Sequence, residues 1–209
     1  MAKTALWSHT HPGIYIEGGD AFFSATNAAL TTLRSRPIGK DLIDLLSKRC
    51  GIVKAIVTIL RAPGTLTQSA EDTAATPGDL SALQRDKTLP GTEIKLPGKG
   101  SSSYAAYNPY AAAEYAAMVG IPTPVHIALG HELIHSLHHL SGGLRMDAGT
   151  DSVTARFRRL ILHEEAHTVG LGPYANTRIS ENALRKEHNL TLRTYYDTPG
   201  DCDGLASLT

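Results

Sequence analysis

PVHIALGHELIHSLHHLSGG, residues 124–143, is the stretch that decides the reading of this chain. Pro124 suits a first helical turn, Ile127, Leu133, Ile134, Leu137 and Leu140 supply apolar stripes, and Gly142-Gly143 ends the run, so a helix is predicted over about 125–140. On that helix His131 and His135 stand four residues apart, displaced by about 40° around the axis and about 6 Å along it. Two imidazoles can therefore reach one ion. The intervening pattern is HExxH, and Glu132 sits beside the first imidazole rather than on the ion. Zinc suits two neutral imidazoles and an oxygen ligand, with a fourth position left for water, and Glu132 is the candidate general base that takes the water's proton.

A catalytic zinc needs a third protein ligand. The extended HExxHxxGxxH pattern fails, because His138 holds the glycine position and Ser141 the third-histidine position. Downstream, LILHEEAHTVGLG offers His163, Glu164, Glu165 and His167, all with metal-competent groups. Seven of the ten histidines lie between His126 and His167. His138 and His139 continue the helix and are expected to face solvent or packing, with the approach of His138, three residues after His135, to the site as the alternative.

Working outward, the 209 residues are enough for one domain with a sizeable core. Apolar residues make up 42% and charged residues 19%, and 20 Lys+Arg balance 20 Asp+Glu, which disfavours disorder, a dedicated nucleic-acid binder and a membrane-surface binder. No apolar run approaches the length of a membrane helix. Cys50 and Cys202 form no CxxC pair, so a thiolate metal site is not expected. The leader 1–14 is polar, lacks the apolar region of a Sec signal, and is read as flexible, with order beginning near Ile14.

IYIEGG after it reads as an edge strand, Asp20 to Ser35 as a helix stopped by Pro37, and Lys40 to Cys50 as a second helix with Gly51 as its cap. Ile52 to Arg61 reads as a strand. Residues 62–90 read as a long surface excursion with a short helix at Asp79 to Lys87, and 92–97 and 103–109 as two short strands. Ser180 followed by Glu181 reads as a helix start. The fold class expected is α+β: an active-site helix supported by a small sheet, with 15–209 as a single domain.

HELIHSLHHLSG followed by EEAHTVG resembles two groups of zinc peptidases, the clostridial neurotoxin light chains and the NleD-like type III secreted effector metallopeptidases. The latter resemblance extends to YNPY before the helix and to ISENALRKE and LRTYYD near the end. It implies a zincin-like domain holding one zinc through His131, His135 and Glu165, with Glu164 either beside the site or on the helix surface. It also implies an Arg-x-x-Tyr pair that stabilises the oxyanion, for which Arg193 and Tyr196 fit, with Tyr195 or Tyr174 as substitutes for the phenol. Val169 stands where the neurotoxins carry an aromatic residue. The implied biology is an effector, its leader a secretion signal, delivered by a type III apparatus into the host cytoplasm, where it cuts a signalling protein of the MAP kinase type as a monomer. Two rivals remain: an amidase on a small or terminal amide, and a non-catalytic host-protein-binding effector whose zinc is closed by a fourth ligand from His138, His163 or His167.

Overall fold

The computed structural model describes residues 11–62, 100–143 and 163–196, together with the backbone of two short strands at 3–6 and 66–69. Five strands form one sheet: β1 (Lys3–Leu6), β2 (Ile14–Gly18), β3 (Val57–Arg61), β4 (Leu66–Ser69) and β5 (Ser103–Tyr107), in the order β1-β2-β3-β5-β4. The inner three are parallel, and β1 and β4 run antiparallel along the two margins. The described helices are α1 (Asp20–Arg34), α2 (Pro37–Val53), α3 (Ala112–Val119), α4 (Val125–Ser141), α5 (163–169) and α6 (Glu181–Glu187). Helices combined with a small mixed sheet make this an α+β architecture, as expected.

Strand alternation puts Ile14, Ile16, Val57, Ile59, Ala105 and Tyr107 on one face, all fully buried against α1, α2 and α4. α4 is enclosed on most of its circumference, with Ile127, Leu129, Leu133, Ile134 and Leu140 at 0% exposure. It touches α1, α2, α3, α6, β4 and β5. A helix that central is hydrophobic almost all round except where it needs chemistry. Gly130 allows its close packing, because a Cβ there would lie 2.7 Å from Leu184 of α6 and 3.2 Å from Leu33 of α1. Gly142, in the left-handed region at φ 61°, caps the helix through its N–H to His138 and His139 carbonyls.

Several boundaries differ from the sequence expectation. β2 is not an edge strand, because Lys3–Leu6 pairs with it antiparallel, so backbone order starts inside the leader. A four-residue strand carries too little periodicity to be read in advance. Pro37 stops α1 but also opens α2 at its first turn, three residues before the expected start. Gly51 lies within α2, and the left-handed cap is Lys54 at φ 55°. β3 accordingly begins at Val57, whose N–H bonds Gly13 O at 2.8 Å. β5 ends at Tyr107, since Asn108 Oδ1 accepts from Tyr110 N–H and turns the chain. The expected strand 92–97 and the helix Asp79 to Lys87 lie outside the described residues.

The first turn of α2 is capped from a distance. Glu187 on α6 accepts from Ile38 N–H at 2.7 Å and Gly39 N–H at 2.8 Å. A carboxylate at a helix N-terminus satisfies two orphan donors and opposes the helix dipole. Glu187→Ala is expected to destabilise the fold by about 1–2 kcal/mol, measured as a shift of the urea midpoint with unchanged slope; an unmoved midpoint would show that water replaces the carboxylate at no cost.

Candidate metal centre

His131 and His135 project from the same side of α4 onto Glu165 of α5. His131 Nε2 and His135 Nε2 are 3.1 Å apart, and Glu165 Oε2 is 3.2 Å from the first and 3.3 Å from the second. The other nitrogen of each ring is engaged. His131 Nδ1 donates to Glu181 Oε2 at 2.9 Å, and His135 Nδ1 donates to Glu164 Oε1 at 3.0 Å. An ionised carboxylate only accepts, so both protons belong on Nδ1 in the neutral rings, and both Nε2 lone pairs face Glu165. Two lone pairs and a carboxylate oxygen at such distances repel one another unless a cation or protons lie between them. Glu165 Oε2 is also buried and accepts no well-formed hydrogen bond among the described residues. A tetrahedral ion with bonds of about 2.0–2.1 Å sets its ligands about 3.3 Å apart, so the triplet fits a zinc-sized metal.

A second triplet, His135, His138 and Glu164, also has metal-competent atoms close together. Its spacing tells a different story. Glu164 Oε1 accepts from His135 Nδ1 at 3.0 Å, from His138 Nδ1 at 2.6 Å and from Thr168 Oγ1 at 3.3 Å. Those are hydrogen-bond lengths rather than the edges of a coordination polyhedron. Glu164 orients His135, and His138 holds Glu164 in place. His138 therefore packs at the site, the approach that its i+3 spacing from His135 left open, rather than facing solvent: it is 9% exposed and its ring stacks on His167 at 4.3 Å. His139 is buried too, at 7%. The spacing HSLH carries the signal for His138, because i+3 from a ligand stays on the ligand's face.

Glu181 is the residue whose place at the site the sequence did not reveal. It reads as an ordinary acid in the first turn after Ser180, and Ser180 Oγ does accept from Ala183 N–H. Yet Glu181 is 2% exposed and joins three partners: His131, Arg185 Nε at 2.6 Å and Arg193 Nη1 at 3.0 Å. Arg185, at 0% exposure, is held in turn by Pro122 O, Thr123 Oγ1 and Thr191 O. An Arg four residues after a first-turn Glu was the available hint, but nothing in spacing says that the pair is buried.

Arg193 and Tyr196 come to the site by different routes. The Arg193 guanidinium is committed to Glu181 and to the Tyr196 carbonyl, and packs over the Tyr196 ring at 5.1 Å. Burial, then the nearby Glu165 charge, push the Tyr196 phenol well above its ordinary pKa, with Glu132 adding to the effect. It is thus a permanent hydrogen-bond donor beside Glu165 and Glu132. Tyr195 instead turns its hydroxyl toward Gly120. Tyr174 bonds His163 Nδ1 at 3.1 Å in a small cluster with Ala166, Val169 and Leu171. Val169, the apolar replacement for an aromatic, is fully buried in that cluster.

Burial acts to lower the pKa of His131, but hydrogen bonds to Glu165 and Glu181 outweigh it and raise it to about 9. His135 is likewise raised well above 6.5, with burial opposed first by the Glu165 charge. Both folded values lie above the unfolded one, so while Glu165 and Glu181 stay ionised the protonation of these two imidazoles contributes stability that is complete below pH about 6.5 and is lost as pH rises through about 9. Metal must displace those protons. Metal uptake at pH 7 is expected to release protons, checked by titration calorimetry in two buffers of different ionisation heat; identical heats would mean that both imidazoles are already neutral.

The family model described as an effector protein, peptidase family M91, matches residues 10–196. The chain belongs to that family. It is the family to which the NleD-like resemblance of the sequence pointed, and the match runs from Thr10 through β2 to Tyr196, taking in the metal-competent triplet, Glu181 and the Arg-x-x-Tyr pair. Membership makes the chain a peptidase-family effector, a class delivered into host cells. No curated protein matches it. Among the described residues no helix is long and apolar enough to cross a membrane.

Proposed function

We propose that this chain is a zinc metalloendopeptidase with a zincin-like active site, delivered through a type III apparatus into the host cytoplasm, where it cleaves a signalling protein, with MAP kinases as the first candidates. The observation that carries the reading is the triangle of His131 Nε2, His135 Nε2 and Glu165 Oε2 with edges of 3.1–3.3 Å, each imidazole fixed from behind by a carboxylate. When bound, zinc would supply a Lewis acid that polarises the scissile carbonyl and acidifies the attacking water. Glu132, one residue from His131 and 4% exposed, takes the proton from that water and returns it to the departing amine. The Tyr196 phenol donates to the oxygen on which charge develops, which favours the transition state over the ground state. Arg193 acts through Glu181 and the Tyr196 backbone, positioning both.

Closure of the zinc by a fourth ligand is disfavoured by the commitments of the three spare histidines: His138 to Glu164, His163 to Tyr174, His167 against the His138 ring. A peptide substrate is favoured over a small amide by β4. That strand ends the sheet, carries no further partner strand among the described residues, and lies against α4. An unpaired strand edge beside the catalytic helix can bind an extended peptide through its backbone. Elemental analysis together with terminal-peptide proteomics of host-cell lysate is the deciding experiment. One zinc per chain and new termini in the presence of the protein support the proposal; zinc without new termini would favour the non-peptide or binding reading, and no zinc would remove the site.

A further inference from the structure

Arg61 is exposed at the C-terminal end of β3, and its guanidinium lies over the ring of Tyr110, 5.7 Å from the centroid. Tyr110 is 57% exposed, and among the described residues no carboxylate pairs with Arg61. Both residues stand at the end of the sheet that leads, through Tyr115, toward Ala128 and Glu132 of α4. Arg61 shares its strand parity with Val57 and Ile59, which face the helices, so it leaves the sheet on the side of α4. It pairs in register with Tyr107, and its successor Ala62 bonds Tyr107 O at 3.2 Å. From Tyr107 the chain turns through Asn108, whose backbone N–H and carbonyl both bond the Tyr115 hydroxyl. Tyr115 and Ala111 pack on Ala128 of α4, one turn before Glu132. The Glu132 charge in turn contributes to raising the Tyr115 pKa, after burial.

A second feature singles out Arg61. Residues 100–143, which build β5, α3 and α4, contain no Lys or Arg at all. Arg193 is already bound to Glu181, and Arg185 is fully buried. Among the described residues, Arg61 is a cation held out beside this wall with its N–H edge uncommitted to any described carboxylate. A guanidinium held over a phenol ring loses less freedom when its N–H edge binds an anion, and a forked carboxylate is the anion that matches it.

We propose that Arg61, held over the Tyr110 ring, is a specificity subsite that selects an acidic side chain in the peptide substrate. The inference rests on the peptidase reading above and adds a substrate class to it.

The test is cleavage of a library of tryptic peptides from a eukaryotic lysate by wild type, Arg61→Ala, Arg61→Glu and Tyr110→Ala, with zinc content measured on each. Wild type is expected to enrich Asp or Glu at one fixed distance from the cut. Arg61→Ala should erase that enrichment, lowering kcat/KM about fivefold to tenfold for the acidic peptides alone. Arg61→Glu should turn the preference to Lys or Arg, and Tyr110→Ala should weaken it. Cleavage without acidic enrichment, or enrichment that survives Arg61→Glu, overturns the subsite while leaving the peptidase reading intact. No cleavage by zinc-loaded wild type overturns both.

Discussion

Glu132→Gln is expected to lower kcat/KM by about 10²–10⁴-fold while leaving one metal ion per chain. Both parts follow from placement. Glu132 belongs to neither metal-competent triplet, so glutamine leaves His131, His135, Glu165 and their carboxylate partners in contact. The side chain is 4% exposed and almost isosteric with its replacement, so the fold has no reason to relax. What disappears is the capacity to accept a proton, which bears on the transition state and on no ground-state contact to the metal. Metal content by elemental analysis, with turnover on a peptide identified by terminal proteomics, reads the two parts separately. Loss of metal together with activity would make Glu132 a structural residue; retention of activity would take the base away from it.

Glu181→Ala should produce the largest loss of stability. Glu181 is the shared counter-ion of Arg185 and Arg193, both 8% exposed or less, and it also receives the His131 proton. The cluster of surrounding cations holds its own carboxyl down at about 2, although burial alone would raise it. Removing one member of a buried charge network leaves the others unpaired, at a cost of about 3–5 kcal/mol. For a chain of this size that corresponds to a fall in Tm on the order of 10 °C. Metal affinity should drop as well, by about 10–100-fold, because His131 loses the acceptor that fixes its tautomer and ring orientation. Glu181→Gln separates the two effects: it retains an acceptor for His131 but not the charge. Its metal affinity should lie nearer wild type than that of the alanine variant, while its Tm remains low. Wild-type Tm in both variants would mean that Arg185 and Arg193 are satisfied by their carbonyl partners alone.

Much of the site was legible in the linear sequence because its central element is periodic. HExxH on a helix obliges both imidazoles to share a face, and the apolar positions around it oblige that helix to be buried. Ser180 likewise marked the start of α6. Less was legible wherever a contact joins distant segments. Glu187 caps α2 across 148 residues of chain, and no local pattern announces it. β1 was missed for the same reason, since pairing partners rather than its four residues make it a strand.

From sequence alone came the helix that carries residues 131–135, the shared face of its two imidazoles and, with the family resemblance, the proposal of Glu165 as their third partner. The tertiary structure decided the setting of that chemistry. It turned Glu164 and Glu181 from helix-surface acids into the acceptors that orient His135 and His131, and turned His138 inward as the support of Glu164. It also directed Arg193 onto Glu181 and set Tyr196 rather than Tyr195 or Tyr174 beside Glu165. The reason is physical. A periodic pattern fixes which way a side chain points on its own element, whereas the partner it meets depends on how α4, α5 and α6 dock, and that is set by close contacts such as Gly130 against Leu184 and Leu33.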